Sequence, residues 1–494
     1  REAGAFFKKF PRHGKLISIN KVYTGYQDYD INMRWDWNSL LCDDHDLLFK
    51  NYSREYFPPA QALVDYLNEY VRRNDLKVQF ECSVRRISRD GEIFRVIDHA
   101  GRVFTSRVLV VAAGTTRPYQ PDVPGIELAE NYTEMSIDPE DFLGQKVLIL
   151  GKGNSAFETA DNLVGVTSLL HLISPHSVKM AWKTHYVGHL RAINNNLLDT
   201  YLLKQQNALL DGQLVKLERN AEGQIVATVA YAHACDEVEE LVYDRVLCCT
   251  GFRFDDSLFD DSCKPAMTIK DRFPDQTAAW ESTNVPNLYF AGTLMQMRDF
   301  KKKQSGFIHG FRYNVHLLHR ILEEKYHGVP SPATEVEGTP EAIVESILHR
   351  ANTNSGLWQQ TGFMCDMLVI REGQPALHYD DLTIDYVMES ELGQHEHYYL
   401  MTMEFGQEII DSHPDPFAVP RIHKNDVDRS ELSTAIHPIL RRYCRGNLVA
   451  EHHVIEDLRS EFKESVHVEP LLRFFRNQLG VADLSKTPAG DDVM

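Results

Sequence analysis

The residues best spaced for chemistry are Gly151, Gly153 and Ala156, in the run Val147-Leu148-Ile149-Leu150-Gly151-Lys152-Gly153-Asn154-Ser155-Ala156. Four apolar residues before the first glycine read as a buried strand, and Asn154-Ser155 read as the opening of a helix. In such a turn Gly151 permits the tight bend, Gly153 lets a pyrophosphate reach the backbone, and Ala156 lets helix and strand pack closely. The phosphates would rest on helix N-terminal N–H groups around Asn154, Ser155 and Ala156. The chemistry implied is dinucleotide binding, and the competing reading is a glycine turn that holds nothing.

An enzyme that binds NAD usually places an acid at the end of the next strand, to hold the ribose diol. Here residues 169–173 end in Ser174-Pro175-His176-Ser177-Val178-Lys179, with no carboxylate. His176 and Lys179 could instead meet a 2′-phosphate, so NADPH is favoured over NADH.

Three further segments must position these groups. Residues 107–114 read as a buried strand ending in the small-residue turn Ala113-Gly114, and residues 245–251 repeat that design up to Thr250-Gly251. Residues 285–293 form a strand ending at Gly292-Thr293, with a helix opening near Phe307-Ile308. A strand, a glycine and a helix start at that point suit the flavin end of an FAD. In this order the segments resemble the flavoproteins with two dinucleotide-binding domains, in which a nicotinamide domain is inserted into a split FAD domain. The resemblance covers roughly residues 1–325. It implies an α/β fold of two Rossmann-like domains, to which a C-terminal α+β region is added.

Such proteins open on a strand and their own glycine fingerprint for the FAD pyrophosphate, whereas this chain opens on Arg1-Glu2-Ala3-Gly4. Roughly forty residues, about one strand–helix–strand unit, are expected to be missing. What remains to shape the ends of an FAD is Gly4, Val84, Gly292 and the Phe307 helix opening.

Longer strings narrow the match. Pro11-Arg12-His13, Asp36-Trp37-Asn38-Ser39, Ala181 to Gly188, Gly306 to Tyr313 and His452 to Asp457 resemble an endoplasmic-reticulum flavoprotein family that acts in quality control. The likeness spans nearly the whole chain. It implies an FAD-dependent oxidoreductase, with misfolded proteins and the degradation machinery as partners and the endoplasmic-reticulum lumen as location. No signal peptide is visible, and Asp491-Asp492-Val493-Met494 is no retention signal. A cytoplasmic location is the alternative.

Two other functions compete. Asn20 lies where the related flavin-containing monooxygenases keep an asparagine beside the flavin, although an Asn closing a turn explains it equally well. The histidine signature of those enzymes is absent from residues 128–134, which weakens a monooxygenase acting on small nucleophiles. The other alternative is a non-catalytic adaptor on a flavoprotein scaffold. His185, with Arg191 and Asp199, could line an interdomain cleft or belong to a solvated helix.

Composition bounds the rest. At 494 residues and a net charge of −19, the chain offers no basic surface for nucleic acid. No apolar run approaches the roughly eighteen residues of a spanning helix. The eight cysteines show no C-x-x-C spacing, so neither a redox dithiol nor a zinc cage is expected. Cys248 and Cys249 should point to opposite faces of a strand. His395 and His397 would share a face on a strand, but no third ligand accompanies them, and His452-His453 is treated alike, so no metal is expected.

The domains are expected at 1–142 (first FAD part), 143–284 (nicotinamide), 285–329 (second FAD part), 330–340 (linker) and 341–494. Helices are expected over 59–73, 340–351 and 469–479. Strands are expected over 76–84, 94–97, 367–371 and 398–405.

Overall fold

The structure is a computed structural model that describes residues 2–204, 207–231, 233–235, 237–415 and 417–480. Asp491 to Met494, considered above for retention, lie outside them. The chain divides into two compact units, Arg1–Tyr23 with Asp36–Lys302 and Thr24–Trp35 with Lys303–Met494.

The first unit is built on a five-stranded parallel sheet in the order Glu130–Asn131, Arg245–Cys248, Lys146–Leu150, Leu169–Ser174, Asn207–Asp211. Its central strands read as continuous apolar runs because both faces are covered. On one face Phe157, Ala160 and Leu163 of the Asn154–Leu163 helix pack on Val147, Ile149 and Leu247. On the other, Leu148, Leu150 and Val246 pack on Leu217, Ala227 and Val229. These last three come from an antiparallel meander of Gln213–Arg219, Ile225–Tyr231 and Glu237–Tyr243. Each fully buried Leu, Ile or Val contributes about 1.5–3 kcal/mol by its removal from water.

A second parallel pairing joins Leu109–Val111 to Leu288–Phe290, extended by the Ala291 N–H donating to the Val111 carbonyl at 3.0 Å. Beside it in the chain, Val84–Asp90, Ile93–Asp98 and Val103–Ser106 form an antiparallel sheet. The strand expected over 76–84 therefore starts only at Val84. Leu76, Val78 and Phe80 alternate as a strand would, but they are exposed and pair with nothing regular. Left-handed backbone at Asp75 and Glu81 breaks the extended path at either end.

The second unit carries a six-stranded antiparallel sheet in the order Thr334–Val336, Ala376–Thr383, Met364–Val369, Tyr398–Glu404, His437–Cys444, Asn447–His453. Segment 330–340 thus contributes the edge strand Thr334–Val336, and the division of the chain falls at Lys302–Lys303. Helix Pro340–Thr353 starts where Thr339 Oγ1 accepts the Ala342 N–H and proline fills the first position. Helix Ser465–Leu479 begins four residues before the expected start at 469, because Glu464 and His467 cap each other's backbone N–H groups. Residues 24–35 belong here through Arg34, whose guanidinium carbon lies 3.6 Å from the Trp358 ring centroid. Gln359 Nε2 donates to the carbonyls of Met33 and Arg34 at 3.2 and 2.7 Å. Among the described residues no helix is long and apolar enough to cross a membrane.

Candidate dinucleotide site and its surroundings

Gly151 follows the Lys146–Leu150 strand with φ +116°, and a Cβ there would lie 2.4 Å from the Cys249 carbonyl oxygen. Only glycine allows the turn to pass this close to the neighbouring strand end. Gly153 differs: a Cβ on it would meet nothing within 4 Å, so the backbone ahead of the helix is open to a ligand. Ala156 is fully buried where the helix lies on the sheet. The bend, the approach and the packing thus fall on three separate residues, and the Asn154–Leu163 helix directs its first N–H groups at the open side.

The Asn154 side chain is committed elsewhere. Its Nδ2 donates to the carbonyls of Gly188 and His189 at 3.2 and 2.8 Å, and its Oδ1 accepts from Arg191 N–H at 3.0 Å. It therefore ties segment 188–191 to the start of the helix, leaving its own backbone N–H and that of Ser155 for a phosphate. His185 ends the short Ala181–Thr184 helix in the left-handed conformation. Asn20 is buried, and its Nδ2 donates to the Ser53 carbonyl at 2.7 Å. That gives its amide a structural partner.

Sequence reading found no acid at the end of the second strand, and the adjacent strand supplies one. Asp211 pairs in register with Ser174, forms an ion pair with Lys152 of the glycine turn, and accepts from Ser177 Oγ at 2.7 Å. Burial raises this carboxyl, but the Lys152 and Ser177 bonds outweigh it and hold the group below its ordinary value. The signal was present as an acid ending the run Ala208-Leu209-Leu210, but only the parallel pairing brings it here. His176 and Lys179 lie exposed on the loop beyond.

At the other parallel pair, Gly114 and Gly292 both have positive φ, and a Cβ on Gly114 would lie 3.1 Å from Thr293 Oγ1. Gly114, Gly292 and Thr293 are therefore brought together at the strand ends, with Ala113 exposed beside them. Thr250 and Gly251 close the Arg245–Cys248 strand, where Thr250 Oγ1 donates to the Tyr119 carbonyl at 2.5 Å. Gly4 packs on helix Ala60–Arg73, where a Cβ on it would lie 3.0 Å from Leu67 Cδ1. Val84 opens its strand half-buried. Phe307 and Ile308 start helix Ile308–His327 in the second unit. Among the described residues no second strand–glycine turn–helix accompanies the Leu109–Val111 strand.

Sequence reading also missed a brace between the chain start and this sheet. Arg12 donates to the carbonyls of Thr133 and Met135 at 2.6 and 2.5 Å, while Tyr132 O–H donates to Glu158 at 3.0 Å. Burial in the first place, and the Glu158 charge in the second, raise the Tyr132 hydroxyl far above its ordinary value.

The histidines considered for metal sit differently from expectation. His395 follows a 3-10 turn and the strand begins at Tyr398, so His395 and His397 do not alternate on a strand. His452 stacks on Phe474 with ring centroids 5.1 Å apart, and His453 Nδ1 lies 2.9 Å from His437 Nε2. Ligand atoms of Asp366, His378 and Asp380 do lie within 4.8 Å of one another. Arg350 already occupies that charge, donating to Asp366 at 2.6 and 3.0 Å and to Asp381 at 3.0 Å.

Residues 1–292 match the family described as pyridine nucleotide-disulphide oxidoreductase. The chain is 36% identical to FAD-dependent oxidoreductase domain-containing protein 2 of Mus musculus, over 96% of this chain and 79% of that protein. It is 34% identical to the protein of the same name from Danio rerio, over 96% of this chain and 78% of that one. Among solved structures it is similar to bacillithiol disulfide reductase Bdr from Bacillus cereus, with a TM-score of 0.47 and 16% identity over 65% of this chain and 88% of that chain. With the glycine turn, the parallel sheet and these relatives together, the chain belongs to the pyridine nucleotide-disulphide oxidoreductases, in the family of FAD-dependent oxidoreductase domain-containing protein 2, and is an FAD-dependent oxidoreductase.

Proposed function

We propose that this oxidoreductase draws its electrons from NADPH bound at the Gly151 turn. The observation that carries the reading is the open backbone at Gly153 ahead of a helix whose first N–H groups face outward. Gly153 gives the pyrophosphate its approach and the N–H groups of Asn154 and Ser155 hold it, while Gly151 makes the bend, its own N–H bonded to the Ile173 carbonyl, and Ala156 packs the helix on the sheet. A carboxylate free to accept from both ribose hydroxyls would favour NADH. Asp211 is instead paired with Lys152 and Ser177, while the cation of Lys179 stands exposed on the next loop. That charge balance supports a cofactor with a 2′-phosphate. The flavin supplies hydride acceptance, and the protein supplies position and electrostatics. Gly114, Gly292 and Thr293 are the residues of the first unit that would lie against it.

Thiol exchange has no part in this reading, since Cys248 and Cys249 are buried in separate cores. A place in the endoplasmic-reticulum lumen and a role in disposal of misfolded proteins belong to the same proposal. They are supported by the long strings shared with the quality-control flavoproteins. Titration with both nicotinamides tests the centre of the proposal: NADPH should bind more tightly than NADH, and a clear preference for NADH would sink it.

A further inference from the structure

Three cations of the first unit, Lys179, Arg272 and Lys301, gather around Tyr186 and Phe300, with Asp299 the acid nearest in the chain. Arg272 ends the turn of the hairpin Met267–Thr268 and Phe273–Pro274. Its guanidinium carbon lies 5.6 Å from the Phe300 ring centroid and 5.7 Å from that of Tyr119. The Lys301 ammonium lies 5.4 Å from the same Phe300 ring. A Cβ on Gly251 would lie 3.5 Å from Arg272 Nη1, so the guanidinium rests against the glycine that closes the Arg245–Cys248 strand. Lys179 joins from the loop beyond the Leu169–Ser174 strand, its carbonyl accepting the Leu190 N–H at 2.9 Å. His189, next in the chain, completes the group against Tyr186, with ring centroids 4.9 Å apart.

Electrostatics agree with this placement. Burial, then the charges of Arg272 and Lys179, push the Lys301 ammonium below its ordinary value. Burial, then Lys179 and Lys301, do the same to His189. Among the described residues none of the three cations makes a side-chain hydrogen bond or an ion pair. The acid Asp299 acts on Tyr186, whose hydroxyl burial and that charge push up to about 12.

The backbone is held against its preference at the same place. Ile269, Lys270 and Asp271, the three residues before Arg272, have φ of +52°, +56° and +56°, and Lys301 has φ +59°. A β-branched residue in this region is an outlier, and such strain collects at ligand clamps.

We propose that Arg272 and Lys301, with Lys179 of the loop after the second strand, form an oxyanion site beside Gly251 that takes a phosphate or carboxylate group. Two molecules could bring that group: NADPH through its ribose phosphate, or an anionic second substrate. Only the first rests on the function proposed above.

Calorimetric titration of the full chain with inorganic phosphate at constant ionic strength tests the site. Saturable binding is expected, weakened about tenfold or more in R272Q/K301Q and kept within about threefold in R272K/K301R. K301Q alone should weaken it about threefold and serves if the double variant does not fold. Repeating the titration in saturating NADPH separates the sources: lost phosphate binding assigns the site to the cofactor, and retained binding assigns it to a second substrate. If NADPH itself fails to bind, the phosphate result still stands. No saturable binding by the parent chain, or binding equal in the parent and the glutamine variants, would overturn the proposal.

Discussion

Gly151 and Cys249 meet backbone to backbone across the five-stranded parallel sheet, with no room for a methyl group between the Gly151 Cα and the Cys249 carbonyl. G151A must therefore separate two strand ends and also hold alanine at φ +116°. The expected cost is at least about 2–3 kcal/mol in urea unfolding. G153A meets open space, so its stability should stay within about 1 kcal/mol of the parent while NADPH binds more weakly. Equal destabilisation by the two changes would contradict the division of labour within the turn.

Cys248 packs with Leu150 and Tyr243, whereas Cys249 packs on the opposite face with Ile149 and Leu163. Burial raises both thiols above their ordinary values. Native-state labelling at pH 8 should therefore reach exposed Cys235 and spare Cys248, Cys249 and Cys365, as mapped by mass spectrometry. C248A/C249A should still show flavin reduction by NADPH; complete loss with flavin retained would mean that a thiol takes part.

His452 gives the second unit an acid sensitivity. Burial, then the charges of His453 and Arg473, push its imidazole down to about 4 from an ordinary 6.5. The folded state thus prefers the neutral ring. Its contribution is whole above about pH 6.5, falls as the pH drops towards 4, and levels off below. The loss is on the order of 2–3 kcal/mol. H452F keeps the stack on Phe474 and cannot titrate, so its urea midpoint should fall less than the parent's across that window. Parallel curves would refute the assignment.

Two acceptor triplets for N-linked glycan begin at Asn51 and Asn131. Asn51 is exposed at the end of a 3-10 turn, its Nδ2 donating to the Asp46 carbonyl at the surface, while Asn131 lies half-buried in a sheet strand and its Oδ1 accepts from Thr133 N–H at 3.0 Å. Directed into the endoplasmic reticulum, the chain should gain one endoglycosidase-sensitive glycan, lost in N51Q and kept in N131Q. A gel shift that survives N51Q would count against this placement of the two sites.

Much of the fold was legible where one short run carried the whole signal. The helix over 59–73 matched Ala60–Arg73 because Leu63, Tyr66 and Val71 repeat at helical spacing, and the buried strands announced themselves by apolar runs ending in glycine. Residues 76–80 misled because alternation makes a strand only where a neighbour offers its hydrogen bonds. Asp211 was invisible as a site residue since nothing local marks it. It matters only because the sheet aligns it with Ser174. Arg272 and Lys301 are 29 positions apart in the sequence, and only the shared Phe300 ring shows that they belong together.

The excursion of residues 24–35 into the second unit bears on how the chain is made. During synthesis this segment emerges before any of its partners: Arg312, Asn352, Trp358, Gln359 and Glu461 are translated some 280 residues or more later. Met33, fully buried in the finished molecule, must wait in water or in the care of a chaperone until they arrive. A polypeptide cut at Lys303 would likewise lack the strap that satisfies Gln359 and Arg312. Supplying residues 24–35 as a separate peptide should restore what the cut removes, so the second unit is completed by a segment made long before the rest of it.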